Sequence, residues 1–147
     1  MQVFIIGTPF ETAESLDKKR LNKQIIECKQ ILKTIDGESK AWKNHPCTKQ
    51  YEKHKIWLCY YLMSLGYYKE GNKEASIRYS NYANFYRPNF HTKDYFNQMK
   101  RRLYTKDKSF YNQWNYLGES NINWYYDNNE NKFIYYENGK RIKNISI

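Results

Sequence analysis

Five apolar residues, Leu21, Ile25, Cys28, Leu32 and Ile35, recur at i, i+4, i+7, i+11 and i+14. That spacing keeps a single stripe on a helix of 3.6 residues per turn and scatters over both faces of a strand. It predicts a long amphipathic helix, closed by Asp36-Gly37. Such a helix buries one face only, so other segments must cover it. A second helix is predicted from about Thr48 to Lys69, with Tyr51, Lys55, Leu58, Leu62 and Leu65 on one face and Gly71-Asn72 as its stop. A third runs from about Glu74 to Asn84 and breaks at Arg87-Pro88-Asn89, and a fourth runs from about Lys93 to Tyr104. Residues 38–47 form a loop, and the first ten residues are apolar and extended, ending at Thr8-Pro9-Phe10.

The end of the chain reads differently. Ile122 to Tyr126 and Phe133 to Glu137 are β-prone runs, and Asn138-Gly139 leads into a third, Arg141 to Ile147. Asn-Gly between such runs is a strong hairpin signal. The expected architecture is mainly α: a compact helical single domain over residues 1–118 with a threaded N-terminal segment. A β-hairpin or three-stranded meander is appended as residues 119–147. A chain of 147 residues suits one such unit.

Mean hydropathy is −1.02, yet 18% of the residues are aromatic, and tyrosine supplies apolar surface that the hydropathy index scores as polar. A disordered chain lacks that resource. No apolar run approaches the roughly 20 residues that span a bilayer, and the start lacks the basic and apolar regions of a secretory signal. The expectation is a soluble, cytoplasmic protein in a reducing compartment. Cys28, Cys47 and Cys59 have no C-x-x-C spacing and read as reduced thiols rather than zinc ligands. No metal or cofactor is expected. Abundant Asn, Lys and Tyr also fit an AT-rich viral or bacterial coding sequence.

The net charge of +10 is concentrated. Residues 119–147 sum to zero, whereas residues 17–35 and 93–108 each carry a net +4. The second run is interleaved with aromatics, Tyr95, Phe96 and Tyr104, a pairing suited to phosphates and exposed bases. Within the first run Arg20, Gln24 and Glu27 fall at i, i+4 and i+7, so they share a helix face that Lys23 flanks. One carboxylate among cations reads either as a solvated ion pair or as a proton-handling group inside an anion-binding cleft. The G-x-G-x-x-G, P-loop, G-x-S-x-G and H-E-x-x-H patterns are all missing.

The order of these features resembles the pyrimidine-dimer DNA glycosylases. Arg20-Leu21 followed six residues later by Glu27 is similar to that family's first helix. Asn44-His45-Pro46 with Gln50-Tyr51-Glu52-Lys53 resembles its His-containing turn and following helix. Asn97-Gln98, Arg102-Leu103 and Lys106 resemble its late helix, and Phe110, Tyr111, Trp114, Tyr116 and Gly118 its closing aromatic cluster. The resemblance covers residues 1–118. It implies a metal-free reaction in which the terminal α-amine attacks the sugar C1′, a Schiff base forms, the base leaves, and β-elimination nicks the strand. Glu27 would handle the protons. Met1 or, after Met removal, Gln2 would supply the amine; the bulk of Gln2 favours retention of Met1. An α-amine titrates near 7.7–8.0 against about 10.4 for lysine, so it is far better supplied with neutral nucleophile at neutral pH. Arg20, Lys23, Gln24, His45, Lys100, Arg101, Arg102 and Lys106 would contact DNA, expected as a damaged or modified duplex met by a monomer. Two further readings stay open: a nucleic-acid-binding module without catalysis, and a protein-interaction factor that works through its tail.

Overall fold

The computed structural model describes residues 1–143. Six α-helices are followed by a 3-10 helix, Asn112–Leu117, and a small sheet. The helices are α1 (Pro9–Ser15), α2 (Lys18–Ile35), α3 (Pro46–Tyr51), α4 (Lys55–Lys69), α5 (Lys73–Asn84) and α6 (Lys93–Lys106). The strands β1 (Asn123–Asp127), β2 (Lys132–Glu137) and β3 (Lys140–Ile142) form an antiparallel meander in that order. The mainly α architecture with a β tail is therefore as the sequence predicts. The part of the last β-prone run at residues 144–147 lies outside the described residues.

The meander follows from its turn. Glu137 pairs with Lys140 across a two-residue loop in which Asn138 and Gly139 both have positive φ, 51° and 76°. That is the conformation whose twist matches a right-handed hairpin.

Two elements differ from the sequence reading. α1 starts where an extended segment is expected, because Thr8 and Glu11 form a reciprocal capping box and Pro9 opens the helix. The single helix expected over Thr48–Lys69 is two helices. His54, at φ −127° and ψ 34°, breaks it, and its N–H closes α3 on the Tyr51 carbonyl. Six residues apart on one continuous helix, Tyr51 and Trp57 would point in different directions. The break lets both be buried and stack at 5.4 Å.

The N-terminal segment is the axis of the fold. Val3, Phe4, Ile5 and Ile6 are all buried, and among the described residues no strand pairs with them. Buried backbone groups need partners, and side chains supply them. Gln24 accepts from Phe4 N at 3.0 Å and donates to Gln2 O at 2.6 Å, and Thr12 accepts from Ile6 N at 3.1 Å. Around this segment α4 packs on α1, α2 and α5. An aromatic stack of Tyr51, Trp57 and Tyr61 continues through Phe90 and Tyr95 into the sheet at Tyr126 and Phe133. Trp124 and Tyr125 belong to the same core, so the tail packs as part of it.

Candidate active site

The threaded segment emerges between α2 and α6, and a cleft of about 180 Å³ opens there. Its walls hold Met1, Gln2, Arg20, Lys23, Glu27 and Gln24 from the first 27 residues, and Arg102 and Lys106 from α6. Of the ten site residues read from the sequence other than Glu27, the structure brings seven to this wall alongside it, and among the described residues Glu27 is the only acidic one lining it.

Helical spacing puts Arg20, Gln24 and Glu27 on one face of α2, and packing divides their work. Gln24 is 2% exposed. Its amide is committed to Gln2 and Phe4, and its oxygen also accepts from the Tyr61 hydroxyl at 3.0 Å. It is thus a clamp on the terminal segment more than a free group for DNA. Glu27, one turn further on, is half-buried. Its Oε2 lies 3.5 Å from the Gln2 nitrogen, the outer limit of a hydrogen bond, and Oε1 lies 3.9 Å from Lys23 Nζ. The carboxylate therefore sits directly beside the start of the chain.

Arg20 Nη1 pairs with Asp17 Oδ1 at 3.1 Å, and its guanidinium lies 5.9 Å from the Tyr111 ring. Burial pushes the Asp17 carboxyl up, but hydrogen bonds from Tyr111 and Arg20 outweigh it and hold it below its ordinary value. Asp17 therefore fixes Arg20 as a charged, oriented group. Lys106 has the opposite balance. Burial lowers its pKa, and the cations Arg102, Lys23 and Arg20 lower it further while Glu27 opposes them. Arg102 is also lowered by burial.

The tail contributes what the sequence reading misses. Asn123 lines the cleft and accepts from Arg102 Nε at 2.9 Å, and the Ser120 carbonyl accepts from Arg102 Nη1 at 3.3 Å. Tyr125 donates its hydroxyl to the Met1 carbonyl at 3.0 Å. Lys19 and Phe4 complete the wall, and Lys106 Nζ lies 5.9 Å from the Phe4 ring. No sequence signal marks Asn123 or Tyr125, since their partners lie 21 and 124 residues away. Lys19 could have been read from the basic run.

Three expected DNA contacts lie elsewhere. His45 caps α3, accepting from Cys47 N at 3.0 Å, and stands edge-on to Trp42 and Tyr125. Burial, with the positive chain terminus second, pushes it down to about 4. Arg101 donates to the Leu117 carbonyl at 3.0 Å and so ties α6 to the 3-10 helix. Lys100 lies over Trp114 at 5.8 Å and faces a different pocket, which Arg87, Lys93 and Tyr116 share. This follows from helix periodicity. Lys93, Asn97 and Lys100 form one face of α6, and Gln98, Arg102 and Lys106 the other.

All three cysteines are free thiols. Among the described residues no three His, Cys, Asp or Glu side chains converge as a metal site, and no helix is long and apolar enough to cross a membrane.

Residues 1–70 match the family model described as pyrimidine dimer DNA glycosylase. That match supports assignment to this family over the matched stretch, which carries the Met1, Arg20 and Glu27 side of the cleft. No curated protein and no solved structure matches the chain.

Proposed function

We propose that the chain is a DNA base-excision glycosylase with AP-lyase activity. It uses the α-amine at its start as nucleophile and Glu27 as the proton-handling carboxylate. The observation that carries the reading is Glu27 standing 3.5 Å from the first peptide nitrogen, inside a cleft whose other charged side chains, Lys19, Arg20, Lys23, Arg102 and Lys106, are all cations. A binding module needs the cations. It has no use for a half-buried carboxylate, which repels phosphate.

The steps balance with water as the one further reactant: it protonates the departing base and hydrolyses the final Schiff base. The neutral Met1 amine attacks C1′ of an extruded nucleotide, and the glycosidic bond breaks with its electron pair leaving on the base. Glu27 stabilises the positive charge that develops on the sugar. It then receives the amine proton and passes it to the ring oxygen as the sugar opens to the protonated Schiff base. Removal of a C2′ proton by the same carboxylate expels the 3′ phosphate, and water releases the enzyme. In a chain that has lost Met1 the attacking amine would be that of Gln2, whose nitrogen is the one nearest Glu27. Arg102, Lys106, Lys23 and Arg20 would hold the flanking phosphates. Tyr125 would fix the terminal residue through its carbonyl, and Asn123 would aim Arg102.

The test is strand cleavage by the purified full chain on labelled duplexes carrying an abasic site, a thymine dimer or no lesion. The proposal expects nicking of the abasic duplex and of at least one lesion duplex, with Glu27→Gln removing both while binding persists. Undiminished cleavage by the Glu27→Gln variant would overturn the assignment. Salt-sensitive binding with no product on any duplex would favour the non-catalytic module.

A further inference from the structure

At the Ile6 end of the threaded segment, remote from Met1, lies a second and larger pocket of about 680 Å³. Arg87, Lys93 and Lys100 bring three cations to it, and among the described residues no acidic one lines it. Phe96 and Tyr116 add two aromatic rings, and Asn89 and Asn97 add side-chain amides. The first turn of α6 opens on the same wall. This 14-residue helix is capped by Thr92, so the partial positive charge of its amide end faces the pocket.

One buried group marks the site as more than a basic surface. His91 is 2% exposed and reaches this wall. Its Nε2 is held by the Tyr51 hydroxyl at 2.9 Å, but its Nδ1 is buried with no hydrogen-bond partner among the described residues. Leaving such an atom unpaired costs about 1–3 kcal/mol, and structures seldom leave one without a reason. Burial, with the charges of His54 and Arg87, keeps the imidazole neutral. Whichever atom donates in the Tyr51 contact, it leaves Nδ1 as the one unpaired polar atom of a residue that lines the pocket.

We infer that this pocket binds the phosphate of a nucleotide, with Lys93, Lys100, Arg87 and the α6 amino end holding the phosphate and Phe96 and Tyr116 offering faces for its base. The aromatic rings argue for a nucleotide over a bare anion, because stacking works for any base and adds nothing for an inorganic ion. The phosphate could belong to a free nucleotide or to a nucleic-acid strand, and both present the same chemistry. The inference does not rest on the reaction assigned to the Glu27 cleft.

The experiment is a titration of the 15N-labelled full chain, followed by NMR, with three probes: inorganic phosphate, thymidine 5′-monophosphate and a short undamaged duplex. The nucleotide is expected to give saturable shifts at Lys93, Asn97 and Lys100 and in the His91 ring, at least about fivefold tighter than inorganic phosphate. Lys93→Glu, an exposed change that leaves the core intact, should weaken the nucleotide by at least about fivefold. His91→Gln should weaken it as well, with a preserved spectrum showing that the fold survives. Saturation by the free nucleotide identifies a free ligand as sufficient. Shifts at the same residues with the duplex alone identify a strand phosphate. Equal affinity for phosphate and nucleotide would overturn the base-stacking role, and an absence of saturable shifts with all three probes would overturn the site.

Discussion

The two ends of the threaded segment differ in one functional group. Both open on pockets lined by cations, and α6 serves both with opposite faces. At the Met1 end a carboxylate stands beside the start of the chain; at the Ile6 end there are cations, aromatics and an unpaired imidazole nitrogen, and no acid. Cations alone attract phosphate at either place. A carboxylate among them weakens that attraction, which is why we propose chemistry at the end that has one and binding at the end that lacks one. The cleft is also built more tightly. Gln24 from α2 and Asn123 and Tyr125 from β1 hold its parts by side-chain hydrogen bonds, from two widely separated stretches of chain.

The contrast breaks first at Glu27. Glu27→Gln keeps an acceptor for the Gln2 nitrogen and removes the charge. Abasic-site cleavage should fall by about a hundredfold or more, the usual scale for removing a general acid–base group, while duplex affinity changes little or rises. Single-turnover rates and a binding titration check this together.

Gln24 tests whether the cleft depends on the threaded segment. Gln24→Ala strands the Phe4 N–H, the Gln2 carbonyl and the Tyr61 hydroxyl in the core. Unpaired buried groups of this kind cost about 1–3 kcal/mol each, so a loss of about 3 kcal/mol or more is expected in denaturant unfolding. Gln30→Ala, on the same helix but away from the segment, should cost far less.

Arg102 and Lys106 sharpen the comparison on the binding side. Replacing either with Ala should weaken duplex binding across all sequences. Each should reduce the slope of log affinity against log salt by about 1, as expected for the loss of one phosphate contact.

The pH dependence of stability probes the neighbourhood of the chain start. His45 has a folded pKa pushed down to about 4, below its ordinary 6.5, so the unfolded chain binds the proton first. Stability is therefore lost as pH falls from about 6.5 toward 4. His91, buried and also shifted down, contributes in the same direction. Thermal melts over that range should show the fall, and His45→Asn should reduce its steepness. The smallest expected effect belongs to Tyr125→Phe. It removes one hydrogen bond to Met1, worth about 1 kcal/mol, and should slow cleavage several-fold with duplex affinity unchanged.

What was legible in the sequence divides by distance along the chain. The α2 stripe and the shared face of Arg20 and Glu27 come from residues of one helix, each within about a turn of the next, and periodicity exposes them. The β2–β3 hairpin comes from Asn138-Gly139, a purely local signal. The helix break at His54 carries no glycine or proline, and only the joint burial of Tyr51 and Trp57 explains it. The dual roles on α2 were hidden too. Gln24 and Glu27 share a face, and only the packed segment distinguishes the buried clamp from the carboxylate that lines the cleft. Asn123 and Tyr125 were beyond reach because a neutral tail gives no sign of which cation or carbonyl it will meet. α1 is a different case, since its capping box and proline were visible locally.

The most direct test of the central claim is borohydride trapping on an abasic duplex, with the adduct mapped by peptide mass spectrometry. The account expects a covalent adduct on the N-terminal peptide, at the Met1 amine or at Gln2 if Met1 has been removed. It should be lost when that amine is blocked. An adduct mapping instead to Lys106, which shares the cleft and whose pKa is lowered by burial and then by the cations around it, would contradict the claim that the start of the chain is the nucleophile.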